Sequence, residues 1–176
     1  MSSAPDGIDL ARHRDAVSTS RVRGSFRYAV LGAVFVVLAL ALANVFGERA
    51  TASEAESDAA RLEVSAPTAV RGGLFFQSRF RIEARRLIEH ATLVLDPGWQ
   101  EELSINTIEP TPIGEASRDG RLALDFGAVR PGRTVVAYLQ FQVNPAQFFA
   151  RRSQGVTLAD GEEELLRIDR TLSVFP

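Results

Sequence analysis

The stretch RPGRTVVAYLQFQVNP, Arg130 to Pro145, decides the fold. From Val135 onward apolar residues recur at every second position, as Val135, Ala137, Leu139, Phe141 and Val143, with Tyr138, Gln140 and Gln142 between them. Period-two alternation of this length is the signature of an antiparallel strand with one face buried and one in water. Pro131-Gly132 supplies a turn before the run. Asn144-Pro145 stops it, because proline cannot donate to a ladder.

The same grammar extends in both directions. Upstream, Leu62 and Val64 alternate as far as Pro67. Arg71-Gly72-Gly73 then turns the chain into Phe76, Ser78, Phe80, Ile82 and Ala84, with Gln77, Arg79, Arg81, Glu83 and Arg85 interleaved. Ala91, Leu93 and Leu95 repeat the pattern before Asp96-Pro97-Gly98, and Leu103 with Ile105 begins another strand that ends before Pro110. Asp119-Gly120 is a hairpin signal, with Leu122, Leu124 and Phe126 following it. Downstream, Asp160-Gly161 predicts a second hairpin between Val156-Thr157-Leu158 and a final strand carrying Leu166, Ile168, Leu172 and Val174. Seven or eight short strands so spaced predict an all-β, two-sheet antiparallel sandwich over 61–176.

Before that domain the chemistry changes. Tyr28 to Phe46, YAVLGAVFVVLALALANVF, holds 19 residues without a charge. At ~1.5 Å per residue it reaches ~28 Å, against a hydrocarbon core of ~30 Å, and so predicts one transmembrane helix with the lipid bilayer as its partner. Arg12, Arg14, Arg21, Arg23 and Arg27 precede the run and only Arg49 and Arg61 follow it closely, which places the N-terminus in the cytoplasm and the sandwich outside the cell membrane. A cleaved signal peptide is the competing reading, since Ala41-Leu42-Ala43 and Ala50-Thr51-Ala52 both fit small-x-small. The expected organisation is therefore a disordered cytoplasmic tail over 1–27, the span over 28–46, a stalk over 47–60 and the extracytoplasmic domain over 61–176.

Composition narrows the function classes. The absence of cysteine removes disulfides, thiolate catalysis and cysteine metal sites together. His13 and His90 fall on opposite sides of the expected membrane, so no two-histidine metal site forms within one chain. From Arg61 onward 14 arginines face 15 acids, and no global field argues for nucleic acid. Neither a Gly-x-Ser-x-Gly elbow nor a phosphate loop occurs. The chain is expected to be non-enzymatic, with no catalytic, metal or cofactor-binding residues.

The segment Phe126-Gly127-Ala128-Val129-Arg130-Pro131-Gly132-Arg133-Thr134-Val135, a strand entering a Pro-Gly turn and a long strand, resembles the equivalent turn of bacterial immunoglobulin-like modules of the cell-adhesion-related and NPCBM-associated kind. That resemblance spans Leu62 to Pro176 loosely. It implies an exported immunoglobulin-like sandwich used for binding or spacing. The antibody-type Cys and Trp pattern is missing, and Trp99 follows a strand instead of lying within one.

Three local constellations bear on binding. Asp96 with Glu101 and Glu102, and Asp160 with Glu162, Glu163 and Glu164, could bind calcium or cleave glycosides, but both clusters fall at turns and read as solvated turn acids. Arg79, Arg81 and Arg85 project from one strand face, with Arg86 adjacent, as a basic stripe for an anionic polymer or as an ordinary solvent-facing surface. Phe148 and Phe149 are adjacent and cannot both face one core from an extended strand, so one of them is a candidate contact or the pair caps the sandwich. The expected function is an interaction subunit of a cell-envelope complex with a protein partner. A module for envelope glycan or anionic polymer is the alternative and a hydrolase is third; the sequence sets no oligomeric state.

Overall fold

The computed structural model describes residues 10–42, 49–146 and 149–175, with side chains described from 26 onward. The chain divides into two compact units, Met1–Val45 and Phe46–Pro176.

The first unit contains one helix, α1, Leu10–Leu42. It includes residues 10–27, which the sequence reading assigned to a disordered tail. The expected transmembrane helix over Tyr28–Phe46 is corrected here: among the described residues no helix is long and apolar enough to cross a membrane. From 26 to 42 the helix reaches roughly 25 Å, short of a hydrocarbon core of ~30 Å. Residues 43–46, the end of the expected span, lie outside the described residues.

The second unit is all β. One five-stranded sheet has the order β1 (Ala50–Glu56), β2 (Ala60–Pro67), β4 (Phe75–Ala84), β9 (Thr134–Val143) and β6 (Leu103–Glu109), and every pairing in it is antiparallel. The other has the order β12 (Glu163–Ile168), β11 (Val156–Asp160), β5 (Ala91–Leu95), β8 (Arg121–Asp125) and β7 (Gly114–Arg118). A three-stranded sheet sets β13 (Thr171–Phe175) between β10 (Ala150–Ser153), antiparallel, and β3 (Ala69–Arg71), parallel.

The expected count of seven or eight strands is corrected to thirteen in three sheets among the described residues. The strands that carry alternating large apolar residues are where the periodicity puts them. In β4 the burial alternates strictly, with Phe76, Ser78, Phe80, Ile82 and Ala84 inside, and in β9 Ala137, Leu139, Phe141 and Val143 are inside. Both expected hairpins form. Asp119 (φ 50°) and Gly120 (φ 75°) take the left-handed backbone of the turn joining β7 and β8, and Gly161 (φ 60°) does so between β11 and β12.

The extra strands have physical reasons. Part of the segment read as a stalk is β1, ATASEAE, whose Ala and Glu are poor strand formers; its residues pair with β2 from Ala50↔Pro67 to Glu56↔Arg61. The expected final strand is two strands: β12 and β13 join different sheets, and the chain breaks between them at Asp169-Arg170. β3, β7 and β10 are short edge strands, and β7 carries no buried residue to give it a period.

One hydrophobic cluster joins the two large sheets, with Leu62, Phe80, Ile82, Leu139 and Phe141 from one and Leu93, Leu95, Leu124 and Leu158 from the other. Trp99, in the 3-10 turn Pro97–Trp99 after β5, lies fully buried between them. Its ring sits 5.4 Å from Phe80 and 5.3 Å from Phe141, and its Nε1 donates to the Gly155 carbonyl at 3.1 Å. Two arginines bind buried groups, Arg167 from the surface and Arg170 from within. Arg167 meets the buried Asp96 through both nitrogens, Nη2 to Oδ2 at 2.5 Å and Nη1 to Oδ1 at 3.2 Å, and this bonding holds the guanidinium pKa above its ordinary value. A side chain at Gly155 would collide with both partners. Arg170 is buried without a carboxylate, and desolvation lowers its pKa.

Candidate interaction surface

The register of the three-stranded sheet sorts its side chains into two faces. Val174 pairs with Ala150 on one side and Val70 on the other, and Leu172 pairs with Arg152; Leu172, Val174 and Val70 face the core. By alternation Phe175 and Ser173 on β13, Arg151 and Ser153 on β10, and Arg71 and Ala69 on β3 face outward. Phe149 immediately precedes β10 and meets the Phe175 ring edge-on, with centroids 6.2 Å apart. Phe149 is 75% exposed and Phe175 45%. Leu74 and Phe75 are also exposed beside them, where Gly72 N donates to Phe175 O and Val143 N to Leu74 O.

The charge on this face has one sign. The three strands read AVR, ARRS and TLSVF and contain no carboxylate. Arg71 and Arg151 are exposed and make no ion pair with a described residue. Arg152, the next residue along β10, turns the other way and binds Glu101 at 2.9 Å. Arg71 lies opposite Phe175 and Arg151 opposite Ser173, so the two stand on a diagonal of about 12 Å beside the aromatic pair.

Of the residues singled out in the sequence, Phe149 is on this face and Phe148 lies outside the described residues. The candidate stripe of Arg79, Arg81 and Arg85 lies on the outer face and end of the sheet containing β4, and the structure does not bring it to Phe149. Arg79 binds Glu63 at 2.7 Å, Arg81 approaches Glu83 at 4.0 Å, Arg85 binds Glu56 at 2.5 Å and the adjacent Arg86 binds Glu163 at 3.0 Å. Each pair is about half exposed and contributes on the order of 0–1 kcal/mol, but together they cancel the field of the stripe.

No protein-family model matches this chain, and no curated protein does. Solved structures do. The chain is similar to AvmM, which catalyses macrocyclization in alchivemycin A biosynthesis, at 7% identity and a TM-score of 0.47 over 72% of this chain and 96% of that one. It is similar to a cohesin module from a Clostridium perfringens family 33 glycoside hydrolase at 12% identity and a TM-score of 0.39, over 73% and 96% of the two chains. It is also similar to CaCohA2 from Clostridium acetobutylicum at 13% identity and a TM-score of 0.38, over 65% and 89%.

The acidic clusters have structural employment. Besides the Asp96 pair, Glu102 accepts from Asn144 Nδ2 at 2.6 Å, and Asp160 Oδ1 accepts from the backbone of Glu89 and His90 at 2.9 and 2.8 Å. Among the described residues no group of His, Asp or Glu side chains is arranged to hold a metal ion. A second depression, about 380 Å³, lies on the outer face of the sheet containing β5, floored by Val94, Thr157 and Ala159. Arg118 and Arg121 stand at its rim with Glu162 and Glu164, and Arg118 Nη1 donates across to Gly161 O at 2.6 Å. Its lining sets two arginines against three acids, Asp119, Glu162 and Glu164, whereas the three-stranded face carries arginine without an acid.

Sequence reasoning missed Arg71, Arg151 and Phe175 because they lie on three separate strands, which the parallel pairing of β3 and the antiparallel pairing of β10 with β13 assemble. The available signal was the absence of Asp and Glu from all three segments.

Proposed function

We propose that the β-sandwich is a non-enzymatic protein-binding module, an interaction subunit whose partner docks on the outward face of the three-stranded sheet. The observation that carries this reading is the exposed Phe149–Phe175 pair with Arg71 and Arg151 beside it. Aromatic residues and arginine are the types enriched at interface centres, where a few of them carry most of the binding energy. The resemblance of the turn before β9 to bacterial immunoglobulin-like modules agrees with this use.

The test places a photo-crosslinking phenylalanine analogue at position 149 of the full chain, and at Tyr138 on the outer face of β9 as a control. A discrete protein adduct from 149, absent from 138, is expected. No adduct, the same adduct from both positions, or retention on purified cell-wall polysaccharide instead would overturn the reading. Phe149→Ser is expected to remove the adduct while changing stability by no more than about 0.5 kcal/mol, as for other exposed positions. A large loss of Tm in this variant would place the ring in the core.

A further inference from the structure

We propose that the segment recognised on this face is acidic: an extended stretch of a partner protein that sets an apolar side chain against Phe149 and Phe175 and carboxylates on Arg71 and Arg151. The inference rests on the protein-binding reading above and adds the chemistry of the partner.

Charge complementarity carries it. In this domain arginine and carboxylate are near balance, and Arg61, Arg79, Arg85, Arg86, Arg152 and Arg167 each hold an acid. Arg130 and Arg133, at the turn before β9, are exposed without an acid among the described residues, and the outward face of β10, β13 and β3 adds Arg71 and Arg151 beside exposed rings with no carboxylate on any of its strands. The contrast is sharpest within β10, where Arg152 is paired and Arg151 is not. A guanidinium presents its donors as a planar fork that matches a carboxylate in two-point contact. The spacing selects an extended chain. Side chains on one face of a strand repeat about every 7 Å, so acids four residues apart reach arginines on a diagonal of about 12 Å, and the residue midway between them shares their face and meets the rings.

Fluorescence anisotropy with the full chain and labelled synthetic peptides tests this. One peptide has the core Glu-Ser-Phe-Ser-Glu between serines, which sets both Glu and the Phe on one face of an extended chain; others replace both Glu by Gln, both by Lys, or Phe by Ala. The Glu-Ser-Phe-Ser-Glu peptide is expected to bind and to shift backbone amide resonances of 150–153 and 171–175. Replacing Glu by Gln, or raising salt until the Debye length falls to about 3 Å, is expected to weaken it at least about fivefold, the size of one partly exposed ion pair. Arg71→Glu and Arg151→Glu are each expected to lose about as much, and the double variant to prefer the Lys peptide. Equal binding of the Glu and Gln peptides, with loss only in Phe149→Ser, overturns the acidic inference and leaves the protein-binding reading standing. No amide shift with any peptide also overturns it, and a missing crosslink from position 149 then removes the underlying reading as well. Binding to phosphatidylglycerol vesicles with the same arginine dependence, and not to the peptide, would replace the acidic segment by a lipid surface.

Discussion

Trp99→Ala should lower the stability of the sandwich by about 3–5 kcal/mol, the usual cost of emptying a large aromatic site in a packed core. The ring fills the space between the sheets, in contact with Phe80 on β4 and Phe141 on β9, and Phe141 itself stacks on Phe76 at 5.2 Å. Phe80 and Phe141 stand on neighbouring strands of one sheet, whose continuous pairing from Phe75↔Gln142 to Glu83↔Thr134 resists collapse into the void. Native stability of a domain is on the order of 5–15 kcal/mol, and the variant should melt roughly 10–20 °C lower. Trp99→Phe separates packing from hydrogen bonding: it keeps an aromatic filler and removes one of the two donors to Gly155 O, which retains the Asp96 N–H at 3.0 Å, and should cost about 1 kcal/mol. Because Trp99 is the sole tryptophan of the chain, its emission reports unfolding without interference, and Trp99→Ala is followed by far-UV circular dichroism instead. A loss below about 1 kcal/mol for the alanine variant would show that the ring does not bridge the sheets.

Alternation was legible wherever a strand has one face in the core and one in water, as in β4 and β9. It failed in two opposite circumstances. β5 is buried at all five positions, because small residues on its outer face are shielded under the arginine and glutamate side chains of the neighbouring hairpins, and Ala91-Thr92-Leu93-Val94-Leu95 shows only half of its burial as period. β1 is almost wholly exposed, and its Ala, Ser and Glu favour helix or coil; pairing to β2 overrides that local preference. Charge gave a similar lesson. Counting arginines along β4 suggested a basic stripe, but cross-strand acids at Glu63 and Glu56, distant in sequence, neutralise it. Asp96, read as a solvated turn acid, is instead buried against Arg167, seventy-one positions later. Side-chain type was visible in each case; the partner was a property of topology.

The same limitation applies to Arg170, which the sequence offers as an ordinary arginine at a strand break. Its guanidinium is buried, and it donates through Nη1 to Thr51 O at 2.9 Å, Ser53 Oγ at 3.3 Å and Val64 O at 2.8 Å, and through Nη2 to Ala66 O at 2.6 Å. No carboxylate takes part, so the cation's desolvation is offset by three backbone carbonyl dipoles and the Ser53 hydroxyl. One side chain thereby ties β1 and β2 to the link between β12 and β13. Removing it strands acceptors that no second substitution can delete, because they are main chain. Arg170→Met, which roughly preserves volume, should therefore destabilise the domain by about 3–5 kcal/mol, as loss of several charge-assisted hydrogen bonds to buried groups does. Arg170→Lys keeps the charge but offers one nitrogen in place of the fork, cannot reach both strands, and should fall between the two. Urea midpoints should rank Arg above Lys above Met. Hydrogen exchange should quicken first at Ala50–Glu56, since β1 is an edge strand with only β2 beside it. A lysine variant as stable as the parent would show that charge, not the forked geometry, holds β1 in place.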